Sequence, residues 1–284
     1  MKNNSLIVHV GYPKTGSSSL QFGLFNYLDD IGHINLKTWR QFDPKEPLED
    51  RFSSLLFNRK IISPKYRNLD PDKINVISDE SLTAPLRLRK INFGKNIADP
   101  TTFPIVIKKE FNEEIKKGLE VKFLVVIRNQ ADLLFSQYVE EYKLVLYKSI
   151  DLIHDKLGNL DFTDLDIYDY SHYLDCLSRV IDKKNIVICF YEDLKYGKEV
   201  FINDIAKLLD YDSNALSEIL SRSHYNKKSK NNKGYITEVS NIQIEYFSKD
   251  KKKEIISRFI ESNKKLIHDW NIPKAKLLEY GYIY

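Results

Sequence analysis

Cysteine is nearly absent from the 284-residue chain: Cys176 and Cys189 are the only two, and neither sits in a CxxC pair. A disulfide framework and a zinc ribbon are therefore excluded, and both thiols are expected to lie buried in a reducing compartment. Long apolar runs are missing as well. The longest, Ile186 to Tyr191, has six residues, far short of the ~20 that a membrane-spanning helix needs, so a soluble protein with no membrane span is expected. Met1-Lys-Asn-Asn-Ser leads directly into a strand-like run, without an apolar core of signal-peptide length or a small-residue cleavage site. That points to a cytoplasmic location. Neither sign of charge dominates: 44 Lys plus Arg stand against 40 Asp plus Glu, a net charge of +4, too mild for nucleic acid to be the expected partner. Ten Gly and nine Pro are too few for a low-complexity chain, while 42% hydrophobic and 12% aromatic residues suit a folded one.

What is present alternates between strand-like and helix-like patterns. Leu6 to Val10 is a short apolar run ending in Gly11-Tyr-Pro-Lys-Thr-Gly16, after which Leu20, Leu24, Phe25 and Leu28 recur at helical spacing. Ile74 to Ile77, Val121 to Ile127 and Ile186 to Tyr191 read as further strands, the second continuous enough to be covered on both faces. Helices are expected from about Gln130 to Leu146, from Tyr168 to Ile181, around Val200 to Leu209, and from Ser248 to Trp270 with Ile255, Phe259, Leu266 and Ile267 inward. Residues 29 to 72 are polar and carry Pro44, Pro47, Pro64 and Pro71, which predicts irregular structure or short helices. Residues 81 to 118 predict a surface excursion and one helix. Arg222 to Lys233 holds five basic residues and no acidic one, which predicts a basic loop. Strands alternating with helices imply a single α/β domain over residues 1 to 284, a three-layer sandwich around a mainly parallel sheet, with helical additions. The richness in Lys, Asn and Ile suggests an AT-rich bacterial genome.

Two strand ends carry the chemistry. Gly11 to Ser19 joins a strand to a helix, a turn that aims backbone N–H groups and the positive helix end at an anion, for which phosphate is the natural ligand. A nucleotide triphosphatase would place its lysine directly after the second glycine. Here that position is Ser17, and the lysine is Lys14, inside the loop, where an ammonium can neutralise a leaving oxygen. At the second strand end, Arg128-Asn129-Gln130-Ala131-Asp132-Leu133-Leu134-Phe135-Ser136-Gln137-Tyr138 enters a helix and offers a fixed cation with a hydroxyl donor.

The stretch Pro13-Lys14-Thr15-Gly16-Ser17-Ser18-Ser19-Leu20 resembles the 5′-phosphosulfate-binding loop, PKxGTTxL, of sulfotransferases that use 3′-phosphoadenosine 5′-phosphosulfate (PAPS). It departs at Ser17 and Ser18, where threonine is usual, and keeps the hydroxyls. Arg128 to Tyr138 resembles the 3′-phosphate element of the same family, RNPxDxxxSxY, with Gln130 in place of proline. The segment ending Phe190-Tyr191-Glu192-Asp193-Leu194 resembles a third family element, and Lys233-Gly234 a fourth. The resemblance implies that Lys14 stabilises the bridging oxygen as it leaves. It implies that Thr15, Gly16, Ser17, Ser18 and Ser19 hold the 5′-phosphosulfate and that Arg128 and Ser136 hold the 3′-phosphate. Tyr191 would lie near the adenine, and Lys233 and Gly234 would close over the 3′-phosphate.

Family members take the acceptor proton with a Glu or a His placed after the second strand. Here Glu80 occupies that place, with Asp79 next in line; His9 and His224 read as structural, and His33, which follows the first helix, stays open as a base beside a structural role. PAPS is then co-substrate and PAP (adenosine 3′,5′-bisphosphate) the product, with no metal, and the acceptor is a small molecule or glycan, foremost a carbohydrate or glycolipid. Residues 29 to 73 and 81 to 118 are expected to line its cleft, with Arg87, Arg89, Lys90 and Lys95 available to an anionic sugar. Two other readings stay open: a P-loop kinase or nucleotidase with a displaced lysine, and a non-catalytic PAP(S)-binding protein. The oligomeric state is not legible.

Overall fold

The computed structural model of the chain describes residues 4–12, 14–38, 67–78, 103–145, 168–222, 234–236 and 243–284. These divide into two compact units, the first of residues 1–127 and 175–225, the second of residues 128–174 and 226–284.

Among the described residues the first unit is built on five strands: β1 (Ser5–Gly11), β2 (Ile34–Thr38), β3 (Ile74–Ser78), β4 (Glu120–Ile127) and β5 (Ile186–Phe190). They lie side by side in the order β2-β3-β1-β4-β5, every pair parallel. β1 is therefore the middle strand, and all five end on the same edge. Every residue of β1 and of β3 is buried, the signature of a sheet covered on both faces, and the architecture is α/β as expected. On one face Ile7, Val76, Leu124 and Val126 join Leu20, Leu24, Phe25 and Leu28 in the core, with Phe201, Ile205, Leu209 and Leu216 beyond. On the other face Leu6, Val8, Phe123 and Val125 are equally buried.

The helix after β1 opens with Ser17 and Ser18 in α-helical geometry, runs π-helical over Ser19–Phe25, and continues as α1 (Asn26–Asp30). Leu20, Leu24, Phe25 and Leu28 are all 1% exposed or less. Burial of each is worth roughly 1.5–3 kcal/mol, which outweighs the poorer hydrogen bonds of a π turn.

β2 falls where the sequence predicts irregular structure. Its signal is an alternation of Ile34, Leu36 and Thr38, all buried, with half-buried Asn35 and Lys37, the pattern of an edge strand. The helix expected within residues 81 to 118 is two short ones, α2 (Phe103–Glu110) and α3 (Asn112–Lys116). β5 ends one residue early, because Tyr191 opens α6 (Tyr191–Lys195) and not the strand's last position; α5 (Tyr170–Ser178) precedes it in the chain. Beyond α7 (Glu199–Leu209) a further helix, α8 (Ser213–Arg222), buries Leu216 and Leu220. Arg222 thus ends a helix, paired with Glu218, and does not open a basic loop; residues 223–233 lie outside the described residues.

The second unit contains α4 (Gln130–Val145), a short antiparallel pair β6 (Gly234–Ile236) and β7 (Gln243–Glu245), α9 (Lys249–Trp270) and α10 (Lys274–Glu279). Lys252 on α9 pairs with Asp132 on α4 at 2.7 Å, and Phe135 packs on Tyr246 and Phe247 with ring centroids 5.3 and 5.1 Å away. Ser248 caps α9 by accepting from the Lys251 N–H, and Ile255, Phe259 and Leu266 are buried as expected. Ile267 is only half-buried. No helix among the described residues is long and apolar enough to cross a membrane.

Candidate functional site

The loop after β1 is shaped by its backbone. Thr15 closes a turn on the Tyr12 carbonyl oxygen with both its N–H (3.2 Å) and its hydroxyl (2.6 Å). Lys14 has φ 68° and Gly16 φ 84°, on either side of Thr15, which is not in the left-handed region. Alternation of this kind turns successive N–H groups inward and makes a concavity for an anion. The Gly16 carbonyl then accepts from the N–H groups of Ser19 (2.9 Å) and Leu20 (3.2 Å), which starts the helix. Ser17 is buried, and Lys14, Gly16, Ser18 and Ser19 are half-buried.

Two glycines of the loop lie in close approach to their neighbours, and Gly16 has positive φ as well. A Cβ on Gly16 would lie 2.6 Å from Leu194 Cδ2 and 3.3 Å from Tyr191 Cδ2. Tyr191 therefore lies against the loop itself. A Cβ on Gly11 would lie 3.0 Å from His9 Nε2 and 3.2 Å from Thr15 Oγ1.

His9 lies directly beneath this loop, and sequence reasoning leaves it without a site role. The β1–β3 register sets His9 beside Ser78. Its Nδ1 is 2.7 Å from Ser78 Oγ, which also accepts from Gln21 Nε2 at 3.1 Å, and its ring meets Phe25 edge-on at 5.5 Å. His9 Nε2 is buried with no hydrogen-bond partner among the described residues. Polar residues in otherwise apolar positions, His9 in a buried strand and Gln21 on a buried helix face, are the signal that could have found this network.

Burial pushes the His9 pKa down from 6.5 to about 3. Between those values the unfolded chain holds a proton that the folded chain does not. The contribution of His9 to stability is thus complete above pH 6.5 and is lost as pH falls below it, by ~1.4 kcal/mol per unit. His9→Asn, which keeps a polar group near the Nδ1 position, should flatten the acid limb of stability against pH in urea titrations. An unchanged slope would contradict this account.

Arg128 follows β4 immediately, and Asn129 caps α4, its Oδ1 accepting from the N–H groups of Ala131 (3.0 Å) and Asp132 (3.2 Å). Ser136, two turns into α4, is half-buried, as is Arg128. Glu80 and Asp79, which follow β3, lie outside the described residues, as do Lys233, His224, Arg87, Arg89, Lys90 and Lys95. Gly234 is the first residue of β6. His33 is occupied structurally: its Nε2 donates to the Leu209 carbonyl oxygen at 2.9 Å, and its ring meets Tyr211 at 4.8 Å. Among the described residues no three His, Cys, Asp or Glu side chains group as a metal site.

A middle strand of a parallel sheet that ends in a glycine-and-lysine loop, with hydroxyls on the following helix, defines a P-loop-like α/β protein. The chain belongs to the sulfotransferase domain family, whose family model matches residues 4–277. Its fold is that of a sulfotransferase from Alicyclobacillus acidocaldarius, 13% identical, with a TM-score of 0.55 over 97% of this chain and 98% of that one. The mouse sulfotransferase SULT7A1, complexed with PAP, is 14% identical, with a TM-score of 0.47 over 92% of this chain and 85% of that one. No curated protein is similar enough in sequence to count as a relative.

Proposed function

We propose that the chain is a PAPS-dependent sulfotransferase in which residues 1 to 284 act as one catalytic domain, transferring the sulfuryl group to a hydroxyl or amino group of a carbohydrate or glycolipid. The observation that carries this reading is the β1 loop. A cation at Lys14, left-handed backbone at Lys14 and Gly16, and a Gly16 crowded by Leu194 and Tyr191 are combined in a member of the sulfotransferase family. The loop suits a 5′-phosphosulfate.

In this reading the N–H groups of Thr15 to Ser18 and the hydroxyls of Ser17 to Ser19 hold the 5′-phosphosulfate. Arg128 and Ser136 hold the 3′-phosphate, with Lys233 and Gly234 closing over it, and Tyr191 lies near the adenine. Glu80 accepts the proton of the acceptor hydroxyl as its oxygen attacks sulfur. The bond from sulfur to the 5′-phosphate oxygen breaks in line, and Lys14 neutralises the charge that develops on that oxygen, which leaves as part of PAP. A lysine placed at the leaving oxygen serves transfer better than binding, which favours an enzyme over a binding protein.

Thermal shift with PAP, ADP and ATP, each with EDTA or with Mg²⁺, tests the reading. A ligand at 100 times its Kd stabilises by about 2.7 kcal/mol, a visible shift. PAP is expected to stabilise the protein without metal, and Arg128→Ala should remove its advantage over ADP. Stabilisation by ATP with Mg²⁺ alone would refute the 3′-phosphate assignment and favour a kinase.

A further inference from the structure

Gln130, the first residue of α4, and Asn263, in the middle of α9, are both fully buried amides. Gln130 Nε2 donates to Asn263 Oδ1 at 2.8 Å, and Asn263 Nδ2 donates back to Gln130 Oε1 at 3.1 Å. Gln130 Nε2 also donates to the Tyr168 carbonyl oxygen (3.3 Å), and Asn263 Nδ2 to that of Tyr282 (2.8 Å). One residue earlier, Asn129 Nδ2 donates to the carbonyl oxygens of Tyr280 (3.0 Å) and Gly281 (2.8 Å). Gly281 has φ 71°, and a Cβ on it would meet Asn129 Nδ2 at 3.4 Å. The Tyr170 hydroxyl donates to the Arg128 carbonyl oxygen at 2.5 Å.

Three successive residues, Arg128 to Gln130, are thus held by side chains or main chain drawn from Tyr168, Tyr170, Asn263 and the segment Tyr280–Tyr282. A buried polar network of this kind adds little stability beyond what apolar packing would give. Satisfied throughout, it specifies one geometry. Geometry matters most for a guanidinium, whose planar fork engages a phosphate well in a narrow range of orientations.

We propose that the Gln130–Asn263 amide pair and the bonds from Asn129 to Tyr280 and Gly281 make the C-terminal segment a positioning strut for Arg128, and so set selectivity for a 3′-phosphate. The inference rests on the reading that Arg128 binds that phosphate. Asn129, Gln130 and Asn263 are positioning residues, acting through Arg128.

The test is the ratio of affinities for PAP and for adenosine 5′-phosphate, measured by calorimetry on the full chain. Asn129→Asp keeps the oxygen that caps α4 and sets a second oxygen against the two carbonyls. Asn263→Leu removes the amide partner of Gln130. Each is expected to lower the ratio tenfold or more while changing affinity for the 5′-phosphate less than twofold. Adding Gln130→Pro to Asn263→Leu should restore the ratio, because a proline at the first helical position presets the turn by its own ring. A lower melting temperature with an unchanged ratio in both single variants overturns the proposal and leaves the network a purely structural role. A ratio that stays low although Gln130→Pro restores the melting temperature also overturns it. If instead Arg128→Ala leaves the ratio unchanged, the 3′-phosphate reading itself fails, and the proposal with it.

Discussion

Gly16→Ala is expected to weaken PAP binding by about a hundredfold and to destabilise the fold by roughly 2–3 kcal/mol. Two costs act together. At φ 84° an alanine is held in the left-handed region, at a cost of roughly 1–2 kcal/mol. Its Cβ also has to fit where Leu194 Cδ2 would be 2.6 Å away and Tyr191 Cδ2 3.3 Å away. Leu194 can swing aside, since only the end of a flexible side chain is involved, but Tyr191 and the loop backbone must then move as well. Displacement of the loop by a fraction of an ångström spoils the N–H concavity, and binding suffers more than stability. Adding Leu194→Ala separates the costs: the crowding is relieved, so part of the stability returns in urea titrations, while the backbone strain and the binding defect persist in calorimetry. Wild-type affinity in Gly16→Ala would show that the β1 loop does not hold the nucleotide.

Lys14→Ala is expected to lower kcat about a hundred- to a thousandfold, the usual effect of removing one preorganised group that stabilises developing charge. Affinity for PAP should change much less, because the lysine is assigned to a bond that PAP no longer has. Stability should respond in the opposite direction when the replacement tolerates the backbone. Lys14 is one of three non-glycine residues with positive φ among the described residues, with Asp210 and Asn271. The latter two sit at the C-terminal ends of α7 and α9, where a left-handed residue is ordinary. Lys14 is instead the third residue of the turn that the Thr15 N–H closes on the Tyr12 carbonyl oxygen, a position where positive φ favours glycine or asparagine, so a lysine held there carries strain of about 1–3 kcal/mol. Lys14→Asn, which suits the left-handed region better, should therefore melt at or above the wild-type temperature while losing transfer. Retention of wild-type kcat in Lys14→Ala, assayed with PAPS and a model sugar acceptor, would remove Lys14 from the mechanism.

Much of the first unit was legible from pattern alone. β1, β3 and β4 are mostly buried and largely apolar, with few polar interruptions such as His9, Asn75 and Lys122, and such runs in a chain with helices between them suit a sheet covered on both faces. The turn and helix start after β1 and after β4 were legible for a related reason: glycine with hydroxyls, or a capping asparagine, at a strand end constrains the local backbone. β2 was not legible, because its alternate residues are polar and half-buried, and Asn35 and Lys37 make it look like a loop. α8 was missed because only two of its residues, Leu216 and Leu220, are buried, too few to stand out as a periodic stripe.

The sequence by itself determined the α/β class, the loop from Gly11 to Ser19 and the Arg128 element, since each is written in residues adjacent along the chain. Only the tertiary structure decided that His9, Gln21 and Ser78 form one network, with Ser78 57 positions from Gln21 and 69 from His9. It alone paired Gln130 with Asn263, 133 positions apart, and tied Asn129 to carbonyls 151 and 152 positions downstream. Spacing cannot carry such pairings, because a hydrogen bond between distant residues depends on how sheet register and helix packing bring them together, and one amide in a list of residues looks like any other.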